Sequence, residues 1–202
     1  MGNMAGRVPG GTVGAMDVQV STVILVEGES DRLALQTLAA RRGRDLAGEG
    51  VEVVSMGGVG NLGRFLARFG PDGDGVRLRG LFDVGEEAVV HRSLERAGFD
   101  IPRSRDELER LGFFLCVLDL EEELIRALDP SAVEAVIESE GELEMFRTFQ
   151  RQPAWAGAPV EAQLRRFLGT FSGRKIRMAP RLVNALDLDR VPRPMDAVIA
   201  IV

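Results

Sequence analysis

The chain has almost none of the residues that build disulfide frameworks or zinc sites, with one cysteine and one histidine among 202 residues. Neither kind of site is therefore expected. Cys116 lies in an apolar segment, where it should pack as a small hydrophobic residue. No apolar run approaches the roughly 18 residues of a membrane-spanning helix, and no secretory pattern opens the chain. We expect a protein without membrane contact, located in the cytoplasm.

Lysine is also scarce, because Lys175 is the only lysine among 25 basic residues. With a net charge of -6, a broad basic surface for nucleic acid is not expected, so any such contact must be local. A lone lysine indicates a position where a compact ammonium is needed and guanidinium is not equivalent, although a solvated surface role is the alternative. The densest basic stretch could form a local phosphate-binding wall or a solvated helix face, and it comprises Arg165, Arg166, Arg174, Lys175 and Arg177.

Two regions differ in their hydrophobic pattern. Residues 1–17 are rich in glycine and small residues, which predicts a disordered leader. Residues 18–202 predict a single α/β domain with a central, four-stranded, mainly parallel sheet flanked by helices, followed by a helical C-terminal part. Residues 195–202 could be a closing helix or an edge strand. The predicted strands are 22–26, 51–56, 76–82 and 113–118.

Acidic residues follow three of the four predicted strands, at Glu27, Asp83 and Asp119. Because the carboxyl ends of parallel strands meet at one edge of a sheet, these side chains should lie close together. Crowded carboxylates repel one another unless cations lie among them, and Mg²⁺ prefers such oxygen ligands. The alternative is that they only cap helices. The following turns add Glu29, Asp31, Glu86, Glu87, Glu121 and Glu122.

A glycine-rich turn follows the second strand. Residues 58–63 fit the G-x-G-x-x-G pattern of dinucleotide-binding proteins, with Asp83 twenty residues further on. The pattern normally opens the first strand-turn-helix unit, whereas here one precedes it. A tight turn that lets the backbone approach the acidic edge is the other interpretation.

The first corner, residues 23–31 with the sequence VILVEGESD, resembles the opening motif of Toprim domains, most closely those of the overcoming-lysogenization-defect (OLD) family of nucleases. Four shorter matches follow it. They are the turn Gly57-Gly58, Asp83 at the end of the third strand, Leu120-Glu121, and the basic motif Gly173-Arg174-Lys175.

The resemblance implies cleavage of a phosphodiester bond with Mg²⁺ or Mn²⁺, using up to two ions. Glu27 and Lys175 would be catalytic. The implied metal ligands are Glu27, Asp31, Asp83, Glu87 and Glu121. The implied phosphate- or nucleic-acid-binding residues are Gly28, Gly57, Gly58, Arg174, Lys175 and Arg177.

The sequence departs from the family in two ways. Gly85 replaces the second aspartate of the usual Asp-x-Asp, so Glu86 or Glu87 must substitute for it or one metal site is weakened. OLD nucleases usually carry an ATPase domain ahead of this one, but the chain has no G-x-x-x-x-G-K-[ST] loop. We therefore expect a stand-alone nuclease acting on DNA, with a separate ATPase as a partner. The alternative is a non-catalytic Toprim-like module that binds nucleic acid or nucleotide and regulates another protein.

Overall fold

The computed structural model describes residues 19–100, 102, 104–171 and 173–200. The leader predicted at residues 1–17 lies outside the described residues. A four-stranded sheet has the order β2-β1-β3-β4, and every neighbouring pair is parallel. This confirms the predicted fold class. The strands are β1 (Thr22–Val26), β2 (Val51–Ser55), β3 (Arg77–Asp83) and β4 (Phe113–Cys116).

Strand β4 ends two residues earlier than predicted. Val117 and Leu118 follow it and are each 50% exposed, so their apolar character does not reflect burial in the sheet. They form a turn that leads to Asp119, whose carboxylate caps the next helix. The acidic residue is therefore fixed by a helix N-terminus and not by the end of the strand.

Ten α-helices accompany the sheet within the described residues. The last of them shows that the C-terminal segment forms a helix and not an edge strand. None of them is long and apolar enough to cross a membrane. They are α1 (Glu29–Arg41), α2 (Leu62–Phe69), α3 (Glu87–Arg96), α4 (Arg105–Arg110), α5 (Leu120–Leu128), α6 (Pro130–Ser139), α7 (Leu143–Gln150), α8 (Val160–Leu168), α9 (Arg174–Ala185) and α10 (Arg193–Ala200).

Central strand β1 is buried on both faces, as its uninterrupted apolar run predicts for a parallel sheet with two covered faces. Ile24 and Val26 pack in the larger core, with helices α1 and α5 to α10. Val23 and Leu25 pack in the smaller core, with α2 to α4. The alternation follows from the two-residue period of a strand.

Helices α1 and α9 pack side by side and run in the same direction. Near their C-terminal ends, Arg41 Nη1 donates hydrogen bonds to the carbonyl oxygens of Val183 and Leu186, at 2.6 and 2.7 Å. Near their N-terminal ends, Asp31 and Lys175 line the same pocket. Parallel packing thus brings Lys175, from the helical C-terminal part, to the carboxyl edge of the sheet.

Candidate active site

An open pocket of about 320 Å³ lies where strands β1 and β3 end and helices α1 and α5 begin. Its lining contains five acidic side chains and one basic side chain. The lining residues are Glu27, Gly28, Ser30, Asp31, Gly57, Gly58, Asp83, Asp119, Leu120, Glu121 and Lys175. We call it the acidic pocket.

Backbone groups hold Glu27 in place. Its Oε1 accepts a hydrogen bond from the backbone N–H of Asp83 at 3.1 Å, which ties the ends of two neighbouring strands together. Its carbonyl oxygen accepts another from the N–H of Gly58 at 2.9 Å. Gly58 has a φ of +112°, a conformation that a residue with a Cβ rarely adopts. The glycine turn therefore lets the backbone N–H of residue 58 come within hydrogen-bond distance of the Glu27 carbonyl oxygen.

Asp31 is oriented by the start of helix α1. The backbone N–H of Gly28, the N-cap residue, donates to Asp31 Oδ2 at 2.8 Å. A Cβ at position 28 would lie 3.3 Å from that same oxygen, closer than side chains normally pack. A larger residue there would have to push aside the carboxylate that folds back onto the turn.

Glu121 and Lys175 form an ion pair inside the acidic pocket, with Nζ 2.7 Å from Oε2. Burial opposes ionisation of Lys175, but the charge and hydrogen bond of Glu121 outweigh it and raise the pKa of the lysine. Glu121 is only 4% exposed, and its other oxygen, Oε1, is buried without a hydrogen-bond partner among the described residues. A buried, unpaired carboxylate oxygen is costly unless a ligand completes it.

The other carboxyl groups of the pocket have raised pKa values, because they are buried and lie close to one another. Burial is the main cause that raises the pKa of both Asp31 and Asp83 to about 7, and neighbouring acids, Glu27 foremost for Asp83 and Glu121 for Asp31, add to the rise. Burial and the charge of Glu86 also raise the pKa of Glu27, although its hydrogen bond from Asp83 opposes this. Such a set gains stability when a cation enters it.

The acidic pocket contains carboxylate oxygens that suit a hard cation, but these oxygens do not surround a common point. Within the described part of the chain, no three Asp, Glu, His or Cys side chains are arranged so that they could hold a metal ion. The ion pair with Lys175 occupies one oxygen of Glu121. The donor chemistry, the raised pKa values and the unpaired Glu121 Oε1 fit Mg²⁺, provided that the side chains shift when the ion enters.

A second pocket, of about 340 Å³, adjoins the first through Asp119 and Lys175. Arg165 and Arg166 line it, and Arg165 Nε donates to Asp119 Oδ2 at 2.7 Å. Trp155 also lines it and stacks on Phe149 with ring centroids 5.3 Å apart, so the indole packs on the helical layer. We call this the basic pocket.

Known proteins resemble part of the chain in sequence and most of it in fold. Residues 20–71 match the family model described as "Overcoming lysogenization defect protein-like, TOPRIM domain". Over these residues the chain is similar to an OLD-like Toprim domain. No curated protein gives a significant match.

Solved structures show a likeness of fold over most of the chain. The C-terminal region of the Burkholderia pseudomallei OLD protein is 23% identical, with 90% of this chain and 96% of that chain covered and a TM-score of 0.65. The C-terminal region of the Xanthomonas campestris pv. campestris OLD protein, phased with platinum, is 23% identical, with 89% and 90% covered and a TM-score of 0.69. At this identity the likeness establishes the fold.

Gly85 and its neighbours make the acidic pocket differ from the pattern of the family that the chain resembles. Glu87 does not line the acidic pocket, because its carboxylate lies 3.8 Å from His91 Nε2 and 3.9 Å from Arg105 on the far side of the turn. Glu86 is the nearer acid, since its charge contributes to the raised pKa of Glu27. A Cβ at position 85 would meet no atom within 4 Å, so an aspartate could be accommodated there.

Two of the predicted phosphate-binding residues do not line either of these pockets. Arg174 is 3% exposed and donates to Glu142 Oε2 at 2.7 Å and to the carbonyl of Phe167 at 2.8 Å. Arg177 pairs with Glu140 and Glu142. Acidic side chains near helix α7 already pair with both guanidinium groups, and a phosphate-binding role for either stays a prediction. Gly28, Gly57, Gly58 and Lys175 do line the acidic pocket.

The glycines of the G-x-G-x-x-G pattern line two different pockets. Gly58 lines the acidic pocket, whereas Gly60 and Gly63 line a separate pocket with Ser93 and Arg96. Asp83 ends β3, which is separated from β2 by β1. The close turn is therefore the interpretation that fits the structure.

Sequence reasoning missed two features of the acidic pocket. Ser30 is 9% exposed and lines the acidic pocket. Its position between Glu29 and Asp31 in the first motif was the sequence feature that could have indicated this. The pair of Arg165 with Asp119 joins residues 46 positions apart, and nothing local in the sequence indicates it.

Proposed function

We propose that this chain is a Mg²⁺-dependent nuclease that cuts phosphodiester bonds in DNA. The observation that carries the proposal is the acidic pocket itself, in which carboxylates from β1, α1, β3 and α5 face one lysine. Two of these carboxyl groups, on Asp31 and Asp83, have pKa values raised to about 7. This is the arrangement expected where a cation is the missing component.

Each residue has a role that follows from its contacts. Glu27, Asp31, Asp83 and Glu121 would hold the metal, and Glu27 is best placed to be catalytic because the Asp83 N–H fixes its carboxylate at the end of β1. Lys175 is 43% exposed at its side chain, so its ammonium can reach a phosphate oxygen at the mouth of the pocket. Mn²⁺ would serve the same donors.

Bound Mg²⁺, as one ion or two, would lower the pKa of an attacking water and neutralise charge on the phosphate. The chain supplies the surroundings for that chemistry. Backbone N–H groups of Gly28 and Asp83 orient two carboxylates, and the tight turn at Gly57 and Gly58 leaves room for the substrate backbone beside them. Glu86 stands nearest to replace the aspartate that Gly85 lacks.

The basic pocket supports nucleic acid as the substrate. Arg165, Arg166 and Lys175 give it a local excess of positive charge next to the acidic pocket, although the whole chain carries a net charge of -6. A strand whose scissile phosphate lies at the acidic pocket could place a neighbouring phosphate against these guanidinium groups. Binding should therefore depend steeply on salt concentration.

Cleavage of supercoiled plasmid tests the proposal. We expect nicking with Mg²⁺ or Mn²⁺ that disappears in EDTA and in Glu27→Gln, since the amide cannot supply a charged metal ligand. Glu52→Gln, at an exposed position on strand β2, should cleave as the wild type does. Equal nicking by wild type and Glu27→Gln would refute the assignment.

Lys175→Arg separates a catalytic lysine from a solvated one. The planar guanidinium keeps the charge but not the compact geometry, so we expect cleavage to fall by about tenfold or more while the melting temperature stays within a few degrees. Unchanged cleavage would place Lys175 outside the reaction.

A non-catalytic Toprim-like module is the second candidate. Two observations favour it. Gly85 stands in place of an acid, and no three acidic, His or Cys side chains among the described residues are placed to hold one metal ion. This candidate predicts that the wild type binds a DNA duplex or a nucleotide without cleaving DNA at any Mg²⁺ or Mn²⁺ concentration. A binding measurement beside the cleavage assay distinguishes the two.

A further inference from the structure

A third pocket, of about 430 Å³, lies beside strand β4 at the edge of the sheet. Helix α5 separates it from the acidic pocket, because Leu120 and Glu121 line the acidic pocket whereas Glu123 and Arg126, further along the helix, line this one. We call it the arginine pocket, after the four guanidinium groups that surround it, from Arg105, Arg126, Arg190 and Arg193.

The arginine pocket has an excess of positive charge. Its four arginines face two acids, Glu109 and Glu123. Glu123 is 3% exposed and already satisfied, since Oε1 accepts from the Val117 N–H at 2.8 Å and Oε2 pairs with Arg126. Two positive charges therefore remain without a counter-charge in the pocket of a chain that is acidic overall.

Two of the arginines are weakly engaged. Arg105 has Glu87 as its ion-pair partner at 3.9 Å, beyond hydrogen-bond distance, and its side chain is 52% exposed. The guanidinium of Arg190 makes no hydrogen bond or ion pair with any of the described residues, although its charge contributes to lowering the pKa of Asp129. Both groups thus keep their donors free for an anion, and a guanidinium fork matches the oxygens of a phosphate group.

The rest of the lining is apolar. Leu115 and Val117 belong to β4 and the turn after it, and Pro192 and Pro194 flank Arg193 at the start of α10. The volume lies within the range of about 300–1,000 Å³ typical of small-molecule sites. Apolar walls beside free cationic donors suit an organic phosphate better than a bare inorganic ion.

We propose that the arginine pocket binds the phosphate group of a nucleotide, with Arg105 and Arg190 contacting the phosphate and the apolar wall contacting the base or sugar. The nucleotide is either free in solution or the terminal nucleotide of a nucleic acid. This site is distinct from the acidic pocket, and it does not depend on cleavage.

Titration calorimetry in EDTA tests the site without any contribution from divalent metal. The probes are ADP, pyrophosphate, sulfate, and one short single-stranded oligonucleotide with and without a 5′-phosphate. The wild type should bind ADP, and Arg105→Ala with Arg190→Ala together should weaken binding by about tenfold or more. Arg110→Ala, on the same helix as Arg105 and 70% exposed but outside the pocket lining, is the matched control and should not weaken it.

Glu109→Gln should strengthen ADP binding, a result that a damaged fold cannot produce. Glu109 pairs with Arg193, with Nη1 2.7 Å from Oε1, so the substitution removes a negative charge and weakens the hold on a third guanidinium. We expect ADP to bind severalfold more tightly to this variant.

The probes also identify the source of the phosphate. Binding of ADP indicates a free nucleotide, whereas binding of the 5′-phosphorylated oligonucleotide alone indicates a strand end, and both must be lost in the double variant. The proposal is overturned if no phosphate probe binds, if the double variant binds as the wild type does, or if sulfate binds as tightly as ADP.

Discussion

Replacing Asp31 by asparagine should stabilise the metal-free protein. Burial and nearby acids raise the pKa of Asp31 from 3.8 to about 7, so holding it ionised above that pH destabilises the fold. Asparagine removes the charge and keeps an oxygen that can accept the hydrogen bond from the Gly28 N–H. The substitution therefore isolates the electrostatic effect.

The size of the effect follows from the pKa. A shift from 3.8 to about 7 is worth about 4 kcal/mol as an upper bound, at 1.36 kcal/mol per pH unit. Solvent screening and the charge shared with other acids reduce this to about 2 kcal/mol. For a chain of this size, that corresponds to a rise in melting temperature of about 4–8 °C.

The raised pKa of Asp31 also predicts how the stability of the fold changes with pH. Because the pKa of Asp31 is higher in the folded than in the unfolded state, the folded protein holds the extra proton between about pH 4 and pH 7. The stability this confers on the wild type is present below pH 4, falls as pH rises through this interval, and is lost above pH 7. The advantage of Asp31→Asn should open over the same interval and then stay constant.

Differential scanning calorimetry in EDTA at pH 5, 6, 7 and 8 checks this, with the exposed Glu52→Gln as the control that should not change. Adding Mn²⁺ at pH 8 should stabilise the wild type and do less for Asp31→Asn. An equal or lower melting temperature for Asp31→Asn at every pH would refute the argument that crowded carboxylates strain the pocket.

Two further substitutions test the site and its support. Arg174→Ala should destabilise the fold by about 3 kcal/mol because it removes a buried charge with three partners, whereas Arg177→Ala, 44% exposed, should cost less than about 1 kcal/mol in urea unfolding. Similar losses for both would contradict the buried role. A Cβ at position 85 meets no atom within 4 Å, so Gly85→Asp should tighten Mn²⁺ binding by about tenfold in calorimetry. No gain would show that position 85 does not face the ion.

Much of the fold follows from local sequence. The apolar run of β1 ends at Glu27, and the turn into α1 is specified by a glycine whose N–H caps an aspartate three residues later. These interactions span few residues, so the sequence contains all of their parts. The convergence of Asp83 on Glu27 follows from parallel strand order, which the alternation of strands and helices already predicts.

Side-chain direction in the helical part does not follow from sequence. Arg174 and Lys175 are adjacent, and successive residues on a helix point about 100° apart, so one faces the partly buried acid Glu142 and the other the acidic pocket. Which residue takes which role depends on how α9 packs on α1. Glu86 and Glu87 differ for the same reason, because the turn after β3 aims only one of them toward Glu27.

Anomalous diffraction from crystals soaked with Mn²⁺ tests the central claim most directly. We predict at least one ion in the acidic pocket, coordinated by carboxylate oxygens of Glu27 and Asp83 or Asp31, with Glu121 released from Lys175. Crystals of Glu27→Gln treated in the same way should show weaker or no signal there. A wild-type pocket without Mn²⁺ at millimolar concentration, with Glu121 still paired to Lys175, would contradict the account.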